Sequence, residues 1–532
     1  MNFMRLHNPS PLEPVGRSKR ASIARRTFIK ASGLVALGRI LGRRDVAAFA
    51  GDEPDAQPPA AFGKPDIFVI FTDQWSTRET SRWGSPVRTP NLDAVAREGM
   101  RFGCAYSSCP ISMPARTDLL TGLFPHSTGL WGNTIEWAPI VAQARLFADM
   151  KTAGYTTAQI GKTHWLSGNM WKQQSLANPD AFYAALKLDH VDNIPSPFST
   201  PGAPKSDYAR YLKSIGKWEA VASDLAHRLR NDSYLPKASA CTPEEHNEMF
   251  VANRTIEFLQ KQPLDKPLFL VASWFGPHNP LDAPEPYASM YDPDSLAMPP
   301  NLKFPISSGG YKYDERQWRK MRANYLGKIT YIDHCVGKVF DALKKRGNWD
   351  NTLIIFISDH GDMMGAHGAM AKGSFYEESV GVPMWVRPPK GVKVAAPESG
   401  VPVSLNDVYA TVVEAAGGKV SPQRVTRSLL PIVRGEVTED DGRTVFSEIY
   451  FRNKLSCMTR KGDYKWFYQQ GREHLFNLKQ DPYELTNLIA APAHAALARE
   501  MKENYHEWLF ATQINYSEGY KPMALRAKEG TL

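Results

Sequence analysis

Four short strand-like runs, three of them continuously apolar and each followed by polar or charged side chains, constrain the fold of this 532-residue chain more than any other feature. Runs without polar alternation are typical of strands buried on both faces of a parallel sheet. Stretches with helical patterning separate them, and such an alternation favours an α/β architecture. The four runs cover residues 66–71, 155–160, 267–272 and 352–357. We therefore predict an α/β fold with a mostly parallel central sheet flanked by helices.

Charged or polar groups stand just past the carboxyl end of every predicted strand. In open α/β sheets, ligands bind at that edge. Chance would seldom place such groups there four times, so the pattern predicts an enzyme. The residues concerned are Asp73 and Gln74, Lys162 and His164, His278, and Asp359 and His360.

Two carboxylates and an amide oxygen form a hard oxygen site that suits Ca²⁺ or Mg²⁺. Asp73, Gln74 and Asp359 would supply these atoms, and His360 would add a nitrogen or lie behind them. Each residue alone has a structural explanation, as a helix cap for Asp73 or a turn residue for Asp359. Together they favour a metal.

The run Ser107–Gly122 contains Ser112-x-Pro114-x-Arg116. Pro114 fits the first turn of a helix, so Ser112 is expected just before that helix and Arg116 about one turn inside it. A serine there is most often an N-cap, and a buried arginine is most often an ion-pair partner. The segment that begins at Lys372 would return a lysine to the same place. A metal, Arg116 and two lysines around one oxygen suit a sulfate or phosphate ester, because negative charge develops on its oxygens.

These motifs resemble the sulfatase family of the alkaline phosphatase superfamily. The resemblance covers about residues 64–510. Its signature is Ser112-Met-Pro-Ala-Arg116 followed by Leu120-Thr-Gly122. The supporting matches are 66–74, Gly161-Lys162-Thr-His164, Pro277-His278, Ser358-Asp359-His360-Gly361, 372–377 and 475–488.

The resemblance implies that Ser112 is converted to formylglycine, whose hydrate attacks sulfur and forms a sulfo-enzyme that a base then breaks down. It implies that Arg116 holds this residue, that Lys162 and His164 support the hydrate, and that His278 and Lys372 contact sulfate and protonate the leaving oxygen. The metal, calcium with Mg²⁺ or Mn²⁺ as alternatives, is expected on Asp73, Gln74, Asp359, His360 and the modified Ser112.

Three departures from the family pattern matter. Serine at position 112 implies maturation by the radical-type enzyme rather than the cysteine-specific one, and Ala115 replaces the commoner serine. Gln74 and His360 stand where many members have Asp and Asn, and Asp-His also occurs in relatives that cleave phosphonate or phosphate esters. The leading hypothesis is a sulfatase acting on a sulfated small molecule or carbohydrate. The alternatives are a phosphate or phosphonate ester hydrolase and a non-catalytic binding module with an unmodified serine.

The first 50 residues are interpreted as a twin-arginine-type signal peptide. They hold ten Lys and Arg against two acids, a net +8 that leaves only +1 of the chain's +9 for the rest. Such a nearly neutral body argues against a nucleic-acid partner. Arg25-Arg26 precedes a short apolar stretch and an Ala48-x-Ala50 cleavage site. We therefore expect a bacterial protein exported folded by the twin-arginine machinery to the periplasm or beyond, with no stable membrane span in its mature form.

Domain boundaries follow the change of pattern near residue 440. Residues 51–440 are predicted to form the catalytic domain, and 441–532 a smaller antiparallel sheet with one helix. Its predicted strands are 444–449, 464–468 and 475–477, and its helix is 493–510. Residues 165–245 are interpreted as an insertion over the sheet edge that shapes a substrate pocket, or as a loop region with no role. Five cysteines exclude a disulfide framework, although one or two bridges are compatible with export.

Overall fold

The four predicted strands lie next to one another at the centre of one eight-stranded sheet. The computed structural model describes residues 64–133, 143–165, 179–194, 196–451 and 454–512; the predicted leader and the N-terminal tail lie outside them. The sheet order is β11-β2-β10-β9-β1-β6-β4-β5. Strands β9, β1, β6, β4 and β5 are mutually parallel, whereas β10 runs antiparallel to both β9 and β2. The predicted mostly parallel sheet is therefore confirmed.

The strands have the following bounds: β1 (Asp66–Asp73), β2 (Met100–Phe102), β3 (Ala105–Tyr106), β4 (Thr156–Gly161), β5 (His190–Asn193), β6 (Leu268–Pro277), β7 (Ile306–Ser308), β8 (Tyr311–Tyr313), β9 (Thr352–Ser358), β10 (Met384–Arg387), β11 (Glu398–Ser399), β12 (Val403–Ser404), β13 (Thr444–Phe451), β14 (Lys454–Lys461), β15 (Tyr464–Gln469) and β16 (Arg472–Asn477). The helices are α1 (Pro90–Ala96), α2 (Ser112–Thr121), α3 (Pro125–Thr128), α4 (Leu146–Thr152), α5 (Pro179–Ala185), α6 (Asp207–Ser214), α7 (Trp218–Arg230), α8 (Asn247–Lys261), α9 (Glu315–Arg346), α10 (Glu377–Val380), α11 (Asp407–Ala415), α12 (Leu430–Arg434) and α13 (Ala495–Thr512).

Alternate residues of β1 enter two separate cores, one on each face of the sheet. Phe68 and Ile70 pack with residues of α1, α8 and α9. Ile67 and Val69 pack on the other face with residues of α2, α4 and α11. All eight residues of β1 are buried. Helices on both faces explain why this strand is apolar without alternation.

A four-stranded antiparallel sheet, β13 to β16, forms the C-terminal part. One face carries α13, and the other packs Ile449 and Met458 against Ile111 and Phe375 of the catalytic part. Strand β14 is not among the predicted strands, because Lys454–Lys461 mixes basic and apolar residues without a clear period. Among the described residues, no helix combines the length and apolarity needed to cross a membrane.

Candidate active site

The carboxyl ends of β1, β4, β6 and β9 gather the polar side chains that follow them. Asp73 ends β1, while Lys162 comes directly after β4. His278 and Asp359 come directly after β6 and β9. Their neighbours complete the group at this edge of the sheet: Gln74, His164 and His360. Lys372 reaches the same place from the segment after β9.

Ser112 is the first residue of α2, whereas the sequence predicts it just before the helix. The helix therefore begins one residue earlier than predicted. The residue before the helix is Ile111, which offers no side-chain cap. The Ser112 hydroxyl therefore does not act as the N-cap. Its Oγ lies 2.9 Å from His360 Nε2 and accepts a hydrogen bond from Lys372 Nζ at 3.1 Å. Both contacts direct this fully buried oxygen into the group of strand-end residues.

Arg116 lies one turn further along α2, and its guanidinium is 1% exposed. It donates to Asp359 Oδ2 at 2.9 Å and to Ser273 Oγ at 2.8 Å. A longer contact of 3.4 Å joins it to Asp73 Oδ2. A guanidinium cannot lose its proton under protein conditions. The arginine therefore supplies a permanent positive charge and connects α2 to the ends of three strands.

Asp73 is enclosed by positive charge. Burial alone would raise the pKa of its carboxyl group, but Lys162, His278 and Lys372 outweigh burial and bring the pKa well below the ordinary value. Lys162 Nζ contacts Asp73 Oδ2 directly. The Asp73 carboxylate is therefore ionised at neutral pH.

Asp73, Asp359 and His360 form a buried group whose potential metal-binding atoms lie within 4.8 Å of one another. Asp73 Oδ1 and Gln74 Oε1 are buried and have no hydrogen-bond partner among the described residues. Buried polar atoms without a partner are costly, so these two oxygens fit a cation. His360 Nδ1 lies 2.9 Å from the Gly361 carbonyl, which assigns its proton to Nδ1 and leaves Nε2 as the electron-pair donor. Burial lowers the pKa of His360 to about 4, so its ring is neutral. The donor set fits a divalent cation.

Gln74 is held by two residues that the sequence did not assign to the site. Its Nε2 donates to Asp362 Oδ2 at 2.5 Å and to the Tyr234 hydroxyl at 3.0 Å. With both amide hydrogens used, Oε1 is left without a hydrogen-bond partner and is available to a cation held by Asp73, Asp359 and His360, which together with Gln74 we call the metal-type group. Asp362 follows His360 by two positions, a signal in the sequence to which no role was given. No motif in the sequence marks Tyr234, because it lies within residues 165–245, far along the chain from Gln74 and Asp362.

The remaining cations and imidazoles of the site are Lys162, His164, His278 and Lys372, of which Lys372 contacts Ser112 Oγ directly. His278 Nε2 lies 3.0 Å from Lys372 Nζ, and its Nδ1 lies 2.6 Å from the Asn279 carbonyl. Burial, followed by the charge of Lys372, keeps the pKa of His278 well below its ordinary value. Burial likewise lowers the pKa of Lys372 to about 8. The pKa of His164 is well below its ordinary value because of burial and then the charge of Lys162. Neutral imidazoles and buried ammonium groups thus share one small space.

The fold and this site define an α/β enzyme built around a buried hydroxyl-bearing residue, fixed positive charges and a metal-type donor set. Comparison with known proteins identifies its class. The sulfatase family model matches residues 65–418, and a model described as the C-terminal part of N-sulphoglucosamine sulphohydrolase matches residues 365–509. This chain belongs to the sulfatase family and is a sulfuric ester hydrolase.

Individual relatives match over most of their length. An arylsulfatase of Clostridium perfringens is 28% identical, over 86% of this chain and 97% of its own. An N-acetylglucosamine-6-O-sulfatase of Bacteroides thetaiotaomicron is 24% identical, over 86% and 87%. Among solved structures, the phosphonate monoester hydrolase of Agrobacterium radiobacter superimposes with a TM-score of 0.69 at 25% identity, covering 86% of this chain and 98% of that one.

Proposed function

We propose that this enzyme removes sulfate from a sulfated carbohydrate, using a formylglycine derived from Ser112 and a calcium ion. The observation that carries the proposal is the position of Ser112 Oγ, which lies 3.1 Å from Lys372 Nζ and 2.9 Å from His360 Nε2. Oriented donors and fixed charges of this kind stabilise the charge that develops on an ester oxygen. A relative named N-acetylglucosamine-6-O-sulfatase supports a sugar as the substrate class.

Asp73, Gln74, Asp359 and His360 would hold the metal, with the modified residue 112 as a further ligand. When bound, this cation draws electron density from the sulfuryl group and favours an ionised nucleophile. Formylglycine supplies an aldehyde carbon that forms a geminal diol with water, which serine does not provide. The radical-type maturase is the proposed source of the modification. Calcium is the proposed metal, and the mainly oxygen donor set also suits Mg²⁺ or Mn²⁺.

The chain's own residues bind and orient the ester. Arg116 keeps the first turn of α2 against Asp359, so residue 112 stays at the strand ends. Lys162 contacts Asp73 and lies near His164, while His278 and Lys372 contact each other. The ammonium of Lys372 contacts both His278 Nε2 and Ser112 Oγ. It can therefore bind a sulfuryl oxygen, and together with His278 hold a proton for the leaving oxygen.

The second candidate is a phosphonate or phosphate ester hydrolase. It is favoured by His360 in the metal-type group and by the phosphonate monoester hydrolase of Agrobacterium radiobacter, which shares 25% identity and the fold. Purified enzyme should be assayed on 4-nitrophenyl sulfate and on 4-nitrophenyl phenylphosphonate. We expect a higher kcat/KM on the sulfate ester; a higher value on the phosphonate would overturn the leading proposal. Lys372→Ala and Asp359→Ala should each lower the main activity at least about 100-fold, and wild-type rates in both would remove the assigned site.

The state of residue 112 is tested separately by mass spectrometry of its peptide from the native host. Formylglycine formation removes two hydrogen atoms from serine, so the peptide should be lighter by their mass. Fully active enzyme with an intact serine would overturn the formylglycine proposal. Enzyme of Ser112→Ala, which cannot be modified, should be inactive while its melting temperature stays close to that of the wild type.

Export by the twin-arginine machinery to the periplasm or beyond is also proposed, from the Arg25-Arg26 leader alone. That leader lies outside the described residues. Replacing both arginines with lysine should retain the protein in the cytoplasm, as measured by cell fractionation. Unchanged export of this variant would contradict the proposal.

A further inference from the structure

Phe198 is an exposed aromatic side chain on the insertion, next to the site. Its ring lies perpendicular to the imidazole of His278, with centroids 5.2 Å apart and an angle of 84° between the planes. The Phe198 side chain is 38% exposed, so part of its ring faces solvent. The backbone amide of Ser199 donates to the Ser196 carbonyl at 2.8 Å, which closes the turn that carries Phe198. A single exposed apolar residue is ordinary on a protein surface, and the significance of this one comes from its location.

Phe198 lies beside a partly exposed residue of the site, His278. Asp73, Ser112 and Asp359 are fully buried, as are their neighbours in the metal-type group. The side chain of His278 is 17% exposed. His278, like His164 and Lys372, is only partly buried, so a substrate whose ester group reaches Ser112 can leave the rest of itself on the His278 side.

That part is the alcohol portion of the ester, an argument that rests on the function proposed above. Lys372 Nζ lies between Ser112 Oγ and His278 Nε2, at 3.1 and 3.0 Å. A sulfuryl group beside Ser112 thus directs its leaving oxygen toward the Lys372 and His278 pair. The carbon skeleton attached to that oxygen then emerges beside the free part of the Phe198 ring.

We propose that Phe198 is a specificity-determining residue that contacts the alcohol portion of the substrate and selects a ring, either an aryl group or the C–H face of a pyranose. Aromatic rings gain affinity from packing against another ring beyond the effect of the area they bury. A cationic alcohol would also be attracted to the ring. The charges of Lys162, Lys372 and Arg116 oppose a cation here, so a neutral ring is the better fit.

The test compares Phe198→Ala and Phe198→Tyr with the wild type on 4-nitrophenyl sulfate, N-acetylglucosamine 6-sulfate and choline sulfate. We expect Phe198→Ala to lower kcat/KM on 4-nitrophenyl sulfate by about 3- to 10-fold, the equivalent of the packing energy. The inhibition constant of inorganic sulfate should not change, since sulfate has no alcohol portion. Phe198→Tyr keeps the ring and should behave like the wild type. A parallel loss on the sugar sulfate would identify the ring as a pyranose, whereas a loss confined to the aryl ester would identify an aryl group.

Leu264→Ala is the matched control, since Leu264 is 60% exposed and precedes β6, at the opposite edge of the sheet. This variant should leave kcat/KM unchanged on all three sulfate esters. Unaltered kcat/KM of Phe198→Ala on 4-nitrophenyl sulfate would overturn this inference. So would an equal weakening of sulfate inhibition, which indicates a displaced His278, or a greater loss on choline sulfate, which indicates a cation site. A wild-type enzyme that hydrolyses no sulfate ester would instead refute the proposed function, so the two failures are distinguishable.

Discussion

At the scale of single residues, the orientation of one amide decides whether an oxygen faces the metal-type group. Gln74 adopts a left-handed backbone conformation, with φ of 63°. Its Nε2 donates to Asp362 and Tyr234, which leaves Oε1 without a partner. Asp362 is itself fixed, because its Oδ1 accepts the backbone amides of Met364 and Ala371 at 2.8 and 3.0 Å. Residues behind a metal ligand commonly change metal affinity about 10- to 100-fold when mutated.

Asp362→Asn should therefore reverse the Gln74 amide. The new Asn amide nitrogen would face Gln74 Nε2, and the favourable response is a rotation that places Nε2 toward the metal, where it cannot act as a ligand. We expect calcium affinity to fall at least about 10-fold while the melting temperature without calcium changes little. Calcium titration by calorimetry measures the first quantity and thermal unfolding in chelator the second. Asp224→Asn, on α7 in the insertion, is the control, and equal calcium affinity in the two variants would contradict the prediction.

At the scale of elements, the ends of neighbouring strands approach so closely that one of them requires glycine. Gly161 ends β4 with φ of 94° and pairs with Ser273 of β6. A Cβ at this position would lie 2.0 Å from the Ser273 carbonyl oxygen. The next residue is Lys162, whose ammonium contacts Asp73, and the Ser273 hydroxyl accepts a hydrogen bond from Arg116. The close approach of β4 to β6 thus positions two cations of the site.

Gly161→Ala is expected to lower both stability and activity. A left-handed conformation alone costs a non-glycine residue about 1–2 kcal/mol, and displacement of β6 adds to that cost. The loss in the free energy of unfolding, measured in urea, should be larger than in Gly216→Ala. Gly216 also has a positive φ, of 70°, but its Cβ position is surrounded by open space. The kcat/KM should fall in Gly161→Ala alone. Equal destabilisation of the two variants would show that the contact with Ser273 is unimportant.

At the scale of the whole molecule, the C-terminal sheet holds the segment that carries Lys372. Gln469 of β15 donates to the Gly373 carbonyl at 2.7 Å. Lys465, in the same strand, is fully buried and lies 2.7 Å from both Glu377 and Glu484. Burial, opposed by the charge of Lys465 and reinforced by Glu377, raises the pKa of Glu484 to about 7. The junction between the two parts is therefore a buried cluster of charges as well as an apolar contact.

This cluster predicts a pH dependence of stability. Because the pKa of Glu484 is raised from 4.5 to about 7 on folding, the folded state retains a proton that the unfolded state has lost between these values. The free energy of unfolding should consequently fall as pH rises through this window, by on the order of 2–3 kcal/mol from this group, and level off above it. In Glu484→Gln that contribution should disappear from urea unfolding measured at pH 5 and pH 8. Glu500→Gln, at an exposed ion pair on α13, is the control, and an unchanged slope in Glu484→Gln would disprove the assignment.

The sequence alone was sufficient for four adjacent strands of the central sheet, β9, β1, β6 and β4, and for the residues at their ends. Strands buried on both faces are uninterrupted apolar runs, and parallel strands bring their carboxyl ends to one edge, so Asp73, Lys162, His278 and Asp359 follow from local patterns. The position of Ser112 follows from the start of α2, which Pro114 predicts to within one residue. These features are local, because each depends on a few consecutive side chains.

Tertiary structure alone decided which residues support that edge. Tyr234 meets Gln74 across 160 positions of the chain, and Phe198 meets His278 from the turn between β5 and α6. Lys465 looks like a surface lysine in its strand, yet it is fully buried between carboxylates from two other segments. Contacts of this kind depend on how distant segments pack, and no spacing within a short stretch of sequence records them. The sequence therefore determined the reactive edge of the sheet, and the packing of residues 165–245 and of the C-terminal sheet determined which side chains support that edge.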